Sequence, residues 1–554
     1  MKKRFRLKWG QVLPWLSIVP LLVAFWGYWL GYANESGAPV GPGQHAALFF
    51  KSLYSSVQIY GLSINNELMK LGKPGYVQLE VARWLALIVT TSVFANLIRS
   101  AARRLGAFLR AARPDAVAVH GDESRALLLR RQLGARSVPG DTPERFRAPT
   151  HILAFESARA MYQYINQNHE AFFRHAGKRL YLCTLEALHP VRQDGGIVVS
   201  NVAENCARRY WEDAFLRRGE KRVAFIGFGE YGRALLTQAL LVNVYEEPRQ
   251  IRYTVYGDPD DYPSLHPALG ELVSLNGEAP GRDALFFRAG PWKRHIDELR
   301  GADRIIVCEN ADEENMAILD QLLEYGVGGR IHVRAVSQVI LQRLWNCGGD
   351  CDRIGVFGTD DQLYTPDIIM RGSLMRRAML IHARYIRHSK LGREVCEARK
   401  CDKPATACLD CEVCKEDWAA LDAFKRNSNV AQADHMSVKI REVLGTDAPI
   451  DADALRAYKR AYEMKPPAEK KKLMELEHDR WMRFHIFHGW RYDPVRDDRA
   501  KRHNLLVPYD QLPDGQWIKD EDAFTMIPEI LESEDIKAKG PGGTPSKRRQ
   551  ISMT

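Results

Sequence analysis

The chain has 554 residues, 45% of them hydrophobic and 27% charged, which excludes wholesale disorder and collagen-like repeats and, at roughly 100–200 residues per domain, points to several domains. A formal charge of +10 favours an anionic neighbour such as a lipid surface or a nucleotide. The mean hydropathy of -0.33 excludes a polytopic transporter but leaves room for one or two membrane spans.

Gln11 to Tyr32 carries no charge over 22 residues, about 33 Å as a helix, enough for a bilayer core of about 30 Å. A cleaved signal peptide is the competing reading, but Trp15, Trp26, Tyr28 and Trp29 suit an interfacial belt. Val77 to Ile98 predicts a second span, with Glu80 and Arg83 one helical turn apart near its start; an amphipathic interfacial helix is the alternative. Basic residues precede the first span (Lys2, Lys3, Arg4, Arg6, Lys8) and follow the second (Arg99, Arg103, Arg104, Arg110, Arg113). The positive-inside rule then predicts a two-pass membrane protein with both termini cytoplasmic, its partners including membrane lipid. The cysteines would be thiols or ligands, not disulfides. Between the spans, Ala46–Ser63 is semi-apolar, and Ser55–Gly61 (SSVQIYG) loosely resembles the potassium-filter pattern T-V-G-Y-G without its first glycine. An amphipathic helix is the preferred reading there over a pore loop.

From residue 111 the expected fold class is α/β. Ala116–His120, His151–Phe155 and Arg179–Thr184 read as buried strands separated by helical segments, which predicts a first Rossmann-like unit over residues 111–220. Its first turn, His120-Gly121-Asp122-Glu123, lacks a dinucleotide glycine pattern. A second unit, 221–345, opens with strand Val223–Ile226 running into Gly227-Phe228-Gly229-Glu230-Tyr231-Gly232 and then a helix. In that motif the first glycine allows a tight turn, the second lets backbone approach a pyrophosphate, and the third lets helix and strand pack closely. The helix N-terminus adds N–H donors for phosphate. The strand Arg252–Tyr256 ends at Gly257-Asp258, so Asp258 is the candidate acid for an adenosine ribose. NAD or another adenine nucleotide is the expected cofactor, and further strands at Ala284–Phe287, Arg304–Cys308 and Arg330–Ala335 complete a doubly wound sheet. Two membrane helices followed by such a unit resemble the potassium-channel regulatory proteins of the TrkA-N (regulator of potassium conductance, RCK) class. The resemblance implies nucleotide or dinucleotide binding that regulates something, rather than catalysis; a homo-oligomer is expected as well. No catalytic constellation accompanies it, so no enzyme is expected.

Residues 346–465 read as helical, with Met370–Ile386 and Asp417–Leu444 flanking a cysteine-rich insertion: Cys396, Cys401, Cys408, Cys411 and Cys414. C-x2-C is a zinc half-site; a free or redox-active loop and an iron–sulfur site stay open. After Pro466-Pro467, a helix from about Ala468 to His488 carries Leu473, Leu476, Trp481, Phe484 and Phe487, and Gly489 ends it. The residues Glu477-His478, Trp481, Gly489-Trp490, Tyr492, Asp497-Asp498, Lys501, His503 and Leu506-Val507-Pro508-Tyr509 resemble the ryanodine-receptor repeat (RyR domain), here over 466–536. That implies a small helical ligand-sensing module, with His478, Trp481, Trp490, Tyr492, Asp498 and His503 as candidate ligand residues able to stack a base and hold phosphate. The tail, 537–554, is basic and rich in Gly and Pro and reads as disordered. The expected function is a membrane-anchored nucleotide-sensing regulator or channel-like effector, in ion transport or nucleotide-based defence signalling. A membrane-bound NAD(P)-dependent oxidoreductase and a non-conducting scaffold are the alternatives. No nucleic-acid partner is expected.

Overall fold

A computed structural model describes residues 18–36, 41–61, 67–68, 70–138, 143–173, 177–185, 196–259, 261–337, 353–370, 372–388, 411–448 and 450–531. The start of the first expected span, Cys396, Cys401, Cys408 and the 537–554 tail lie outside these residues. The chain divides into two compact units, Met1–Arg113 with Asp141–Arg147, and Pro114–Gly140 with Ala148–Thr554.

The described residues of the first unit hold three α-helices, α1 (Ile18–Ser36), α2 (Pro42–Gln58) and α3 (Tyr76–Ala111). Small residues let them close together. A Cβ on Gly27 would sit 2.8 Å from Leu79 Cγ, and one on Gly75, at φ +86°, 2.2 Å from the Gly27 carbonyl oxygen. Tyr32 and Ser55 share a buried hydrogen bond of 3.0 Å. Among the described residues α3 is the one helix long and apolar enough to cross a bilayer, and only 11% of its apolar stretch is buried. Trp84, Ile88, Phe94, Leu97 and Ile98 are exposed along it. It continues past the expected end at Ile98, through Arg99, Arg103 and Arg104 to Ala111. Glu80 and Arg83 pair across one turn at 3.6 Å. The described part of the first expected span, α1, ends in Asn34-Glu35-Ser36 and does not meet the measure that α3 meets; residues 11–17 of that span lie outside the described residues. Ser55–Gln58 belong to α2 and Ile59–Gly61 to a 3-10 turn. A helical backbone directs its carbonyls along its own axis, so this segment does not have a filter's backbone.

Among the described residues the second unit contains two large parallel sheets and a two-stranded pair, Arg491–Tyr492 with Arg502–His503. In the first, β1 (Val117–Gly121), β2 (Thr150–Ala154), β3 (Arg179–Thr184) and β4 (Ile197–Asn201) lie in chain order. The sequence reading did not include β4, a short run behind a long connection. The helices α4 (Glu123–Leu133), α5 (Ala158–Gln167) and α6 (Val202–Asp213) belong to this part. The second sheet comprises β5 (Arg222–Ile226), β6 (Arg252–Tyr256), β7 (Ser274–Leu275), β8 (Ala284–Arg288), β9 (Arg304–Val307), β10 (Arg330–Arg334) and β11 (Ile354–Phe357), in the order β11-β10-β9-β5-β6-β8-β7. Setting aside the short edge strand β7, this is the 3-2-1-4-5-6 order of a dinucleotide fold, with its switch point between β5 and β9. Apolar runs make the sheet a core: Val223, Phe225, Tyr253, Val255, Leu285 and Ile306 are fully buried. The helix α7 (Glu230–Val242) leaves β5 and packs on α6, where the Trp211 indole N–H donates to the Leu235 carbonyl at 2.9 Å. On the other face α8 (Asp312–Glu324) contributes Leu319 and Leu322.

The C-terminal region is helical: α9 (Ser373–His388), α10 (Glu412–Ala420), α11 (Ala423–Asp434), α12 (Met436–Leu444), α13 (Ala452–Met464), α14 (Pro467–Phe487) and α15 (Ile518–Thr525). The single helix expected over Asp417–Leu444 is three, broken at Leu421 and His435. Proline is suited to the first turn of α14, because its missing N–H would have no partner there. Gly489, at φ +81°, ends it in the left-handed region. Leu473, Leu476, Tyr458, Tyr462, Phe524 and Ile527 form the core. Arg208 of α6 donates to both oxygens of Asp434, fastening these helices to the sheets.

Candidate functional site

The glycine turn sits at the C-terminal end of β5, beside the switch point. Gly227 adopts φ +95°, and a Cβ there would lie 2.7 Å from both the Glu309 amide nitrogen and its side-chain Cδ. A Cβ on Gly232 would lie 2.4 Å from the Gly227 carbonyl oxygen. Both positions therefore require glycine, for the turn and for helix–strand approach respectively. Gly229 caps α7, and the Asn310 side chain overhangs it, 2.7 Å from where a Cβ would stand. Phe228 and Tyr231 point inward as packing residues. Tyr231 lies under Arg334, whose guanidinium stands 4.3 Å from the ring centre. Glu230 lies in the first turn of α7, and Asp258 is exposed just past β6, where a ribose-binding acid belongs. Gly227, Gly229, Gly232 and Asp258 thus fit a dinucleotide. Glu309 opposes it: a carboxyl beside the phosphate position repels anions. Burial and then neighbouring Glu314 push the Glu309 pKa up, which eases protonation. The sequence reading missed Glu309 and Asn310. They follow β9, which pairs with β5 (Ile226 opposite Val307), and nothing local in the sequence marks that contact.

The second constellation is an aromatic and histidine cup on α14. His478, Trp481, Trp490 and His503 come together there, while Tyr492, on a short strand opposite His503, and Asp498, on the loop after it, are exposed, Asp498 bound to Arg496 at 2.7 Å. Trp481 rests on His485, ring centres 4.0 Å apart, and meets His503 edge-on at 5.1 Å. Phe424 of α11 stacks on Trp490 at 5.0 Å. His485 and Phe424 were not among the sequence candidates. His485 falls one turn after Trp481, a signal available in the sequence, whereas Phe424 comes from outside the module.

Hydrogen bonds fix the histidine tautomers. His485 Nδ1 faces the Trp481 carbonyl at 2.9 Å and must donate, so Nε2 is an acceptor. His503 Nδ1 accepts from the Leu505 amide at 3.1 Å, so Nε2 carries the proton and donates. Burial lowers the pKa of His485 to about 3 and, with Arg496, that of His503 to about 4, so both are neutral at pH 7. The cup therefore offers one donor and one acceptor, their rings 5.9 Å apart, beside an aromatic face. The Trp490 indole N–H is a buried donor with no hydrogen-bond partner among the described residues. His478 has a structural role: its Nε2 donates to the Val507 carbonyl at 2.8 Å.

The two constellations are in contact through a file of rings. Phe228 meets Tyr262 at 5.2 Å, Tyr262 meets His266 at 4.5 Å, and His266 stacks on Phe487 of α14 at 4.4 Å. Arg483 of α14 also binds Asp283 at 2.8 Å. Of the cysteine cluster, Cys411 caps α10 and Cys414 lies within it. Among the described residues no group of three or more metal-ligating side chains forms. His382, on α9, is buried against Asp417.

No curated protein matches the chain. Among solved structures, "Crystal structure of the GsuK L97D mutant" matches with a TM-score of 0.29 and 12% identity, over 66% of this chain and 100% of that one, a likeness too slight to assign a fold. The cup has a closer counterpart in family terms: residues 460–531, which contain α14, Trp490, His503 and α15, match the family model of the RyR domain.

Proposed function

We propose that the chain is a membrane-anchored sensor that binds an adenine nucleotide, NAD or a relative, and regulates ion transport or a nucleotide-based defence response. The phosphates would lie on the Gly227–Gly232 turn and the ribose on Asp258. The cup around Trp481 would take the base of a second ligand, its edge read by the His503 donor and the His485 acceptor; an adenine edge presents the complementary acceptor and donor. The observation that carries this reading is the ring file from Phe228 to Phe487, because it makes the glycine turn and the RyR module neighbours in one packed body. The exposed apolar surface of α3 supports a membrane anchor, since a soluble core helix hides such residues. A second span over 11–32, cytoplasmic termini, a homo-oligomer and a thiolate metal loop around Cys396–Cys414 complete the proposal. Nucleotide binding would act on the membrane through α3, which runs directly in the chain into β1.

The test is a thermal-shift panel of NAD, NADH, NADP, ATP, ADP and ADP-ribose on the full chain in detergent. A ligand at 100 times its dissociation constant adds about 2.7 kcal/mol of stability. A selective shift that disappears in Gly229→Asp, in Trp481→Ala or in both is expected. A folded protein that shifts with none of the panel would overturn the proposal.

A further inference from the structure

The edge of the second sheet opposite the glycine turn has a feature of its own. Four of its parallel strands begin with arginine: Arg222 on β5, Arg252 on β6, Arg304 on β9 and Arg330 on β10. Register places Arg222 opposite Arg252 and Arg304 opposite Arg330, on strands about 4.8 Å apart. Two of the four are neutralised. Arg252 binds Glu278 and Glu298. Buried Arg304 takes Glu220 at 2.5 Å, which uses up the nearest acid. The others are not matched in the same way. The Arg222 guanidinium is 3.9 Å from Asp303 and mostly exposed. Arg330, and Arg217 beside it, form no ion pair among the described residues.

Arg217, Arg222, Arg300 and Arg330 line one open cleft of about 560 Å³, against two acids in the same lining, Glu220 and Asp303, both already engaged by arginine. Its glycines at 219 and 328 have open space where a Cβ would stand, so no side chain of theirs screens the guanidiniums. Burial and then Arg217 press the Arg330 pKa down, Glu220 pulls it back and Arg304 lowers it further, the mark of cations that outnumber their anions. Such crowding costs energy that a bound anion would recover. Guanidinium groups on several sides match phosphate oxygens with paired N–H donors. The strand length of about five residues puts this cleft some 17 Å from the glycine turn.

We propose that this arginine cleft is a second ligand site, taking the phosphate chain of a multiply charged small molecule, either inorganic polyphosphate or the phosphates of a nucleoside polyphosphate. It is independent of the glycine turn and of the cup. The experiment is calorimetric titration of the detergent-solubilised full chain with inorganic tripolyphosphate, and separately with ATP, at physiological salt. In a Gly229→Asp background, one saturable site per chain is expected for each probe, with affinities similar to one another because the phosphate chain alone is read. Loss of charge-assisted hydrogen bonds worth about 1.5–3 kcal/mol should weaken both probes about tenfold or more in Arg217→Ala/Arg330→Ala. Arg330→Lys should recover part of that loss, through charge without the fork. Should the double variant fail to fold, the exposed Arg217→Ala alone should still weaken binding several-fold. Unchanged affinity in these variants, uptake that never saturates, or binding of ATP without tripolyphosphate would overturn the proposal. Loss of tripolyphosphate binding in Gly229→Asp itself would assign the anion to the glycine turn instead, which overturns the cleft while leaving the nucleotide reading standing.

Discussion

At the glycine turn a single opposing charge would set the affinity of the proposed nucleotide site. Gly227 and Gly232 are fixed by close backbone approaches, so the turn is built before any ligand arrives. Glu309 then places a carboxyl beside the anion position. Replacing it with glutamine keeps the shape and removes the charge. Glu309→Gln should therefore bind an anionic nucleotide more tightly, by about 1 kcal/mol or several-fold at a partly solvated site. The pH dependence has a definite sign. As pH falls, the carboxyl takes up a proton, repulsion ends and wild-type affinity rises; the raised pKa brings that change closer to neutrality. Titrations of both proteins from pH 7 to 5 should converge, with the variant the flatter. Parallel curves would show that Glu309 does not face the ligand. The glycines and Asp258 were legible in the sequence because a tight turn and a strand end are local events. Glu309 and Asn310 were not, because only the pairing of β9 with β5 brings them across about 80 residues of chain.

Helix α14 carries the cup on one side and a buried ion network on another. Glu477 accepts from Arg480 within the helix and meets Lys439 of α12 at 2.7 Å, all three almost wholly buried. Burial disfavours the Glu477 charge, but Arg480 and Lys439 outweigh it and hold its pKa low, at about 2. Glu477→Gln would leave two buried cations unmatched and should cost about 3–5 kcal/mol, read by chemical denaturation. A loss under 1 kcal/mol would show that water reaches the cluster. Asp520 of α15 lies near the same charges, and burial followed by Glu477 raises its pKa to about 8. A raised folded pKa gives stability that is full below the unfolded value near 4 and lost as pH rises through 8. The buried histidines act in the opposite sense, and only below their unfolded value of about 6.5, and the buried thiols of Cys183, Cys206 and Cys308, pushed up by burial, count only from the unfolded thiol value of about 8.5, so the range from pH 7 to 8 isolates Asp520. Wild type should lose thermal stability across that range and Asp520→Asn should not. Equal slopes would place the titration elsewhere. The spacing Glu477-His478-Trp481 on one helix was readable as a module. Its division of labour was not: His478 looked like a ligand contact but holds the Val507 carbonyl, while Lys439 and Phe424 arrive from helices earlier in the chain.

Over the second unit as a body, the ring file makes a prediction that neither site makes alone. Coupling between two ligands needs an element that both bias, and binding linkage is reciprocal: whatever factor one ligand exerts on the other's affinity, it receives. Phe228 belongs to the glycine turn and Phe487 to the last turn of the cup helix, and Tyr262 and His266 fill the space between them. Close-packed rings shift together rather than deform continuously, so closure of the turn on phosphates should move α14. Phe487→Ala removes the stacking partner of His266 without touching a phosphate contact or the Trp481–His485–His503 face. Each ligand should still bind the variant singly, with affinity near wild type. The mutual factor should fall toward one from the roughly 5–150-fold that couplings of about 1–3 kcal/mol represent. The measurement is a pair of titrations, each ligand in the presence and absence of the other, on wild type, Phe487→Ala, Phe228→Leu and the double variant. If Phe228→Leu and Phe487→Ala lose the same coupling energy and the double variant loses no more, the rings act as one unit. Additive losses would mean that the signal runs elsewhere, and the salt bridge from Arg483 to Asp283, the other fastening between α14 and the sheet, would be the next contact to cut.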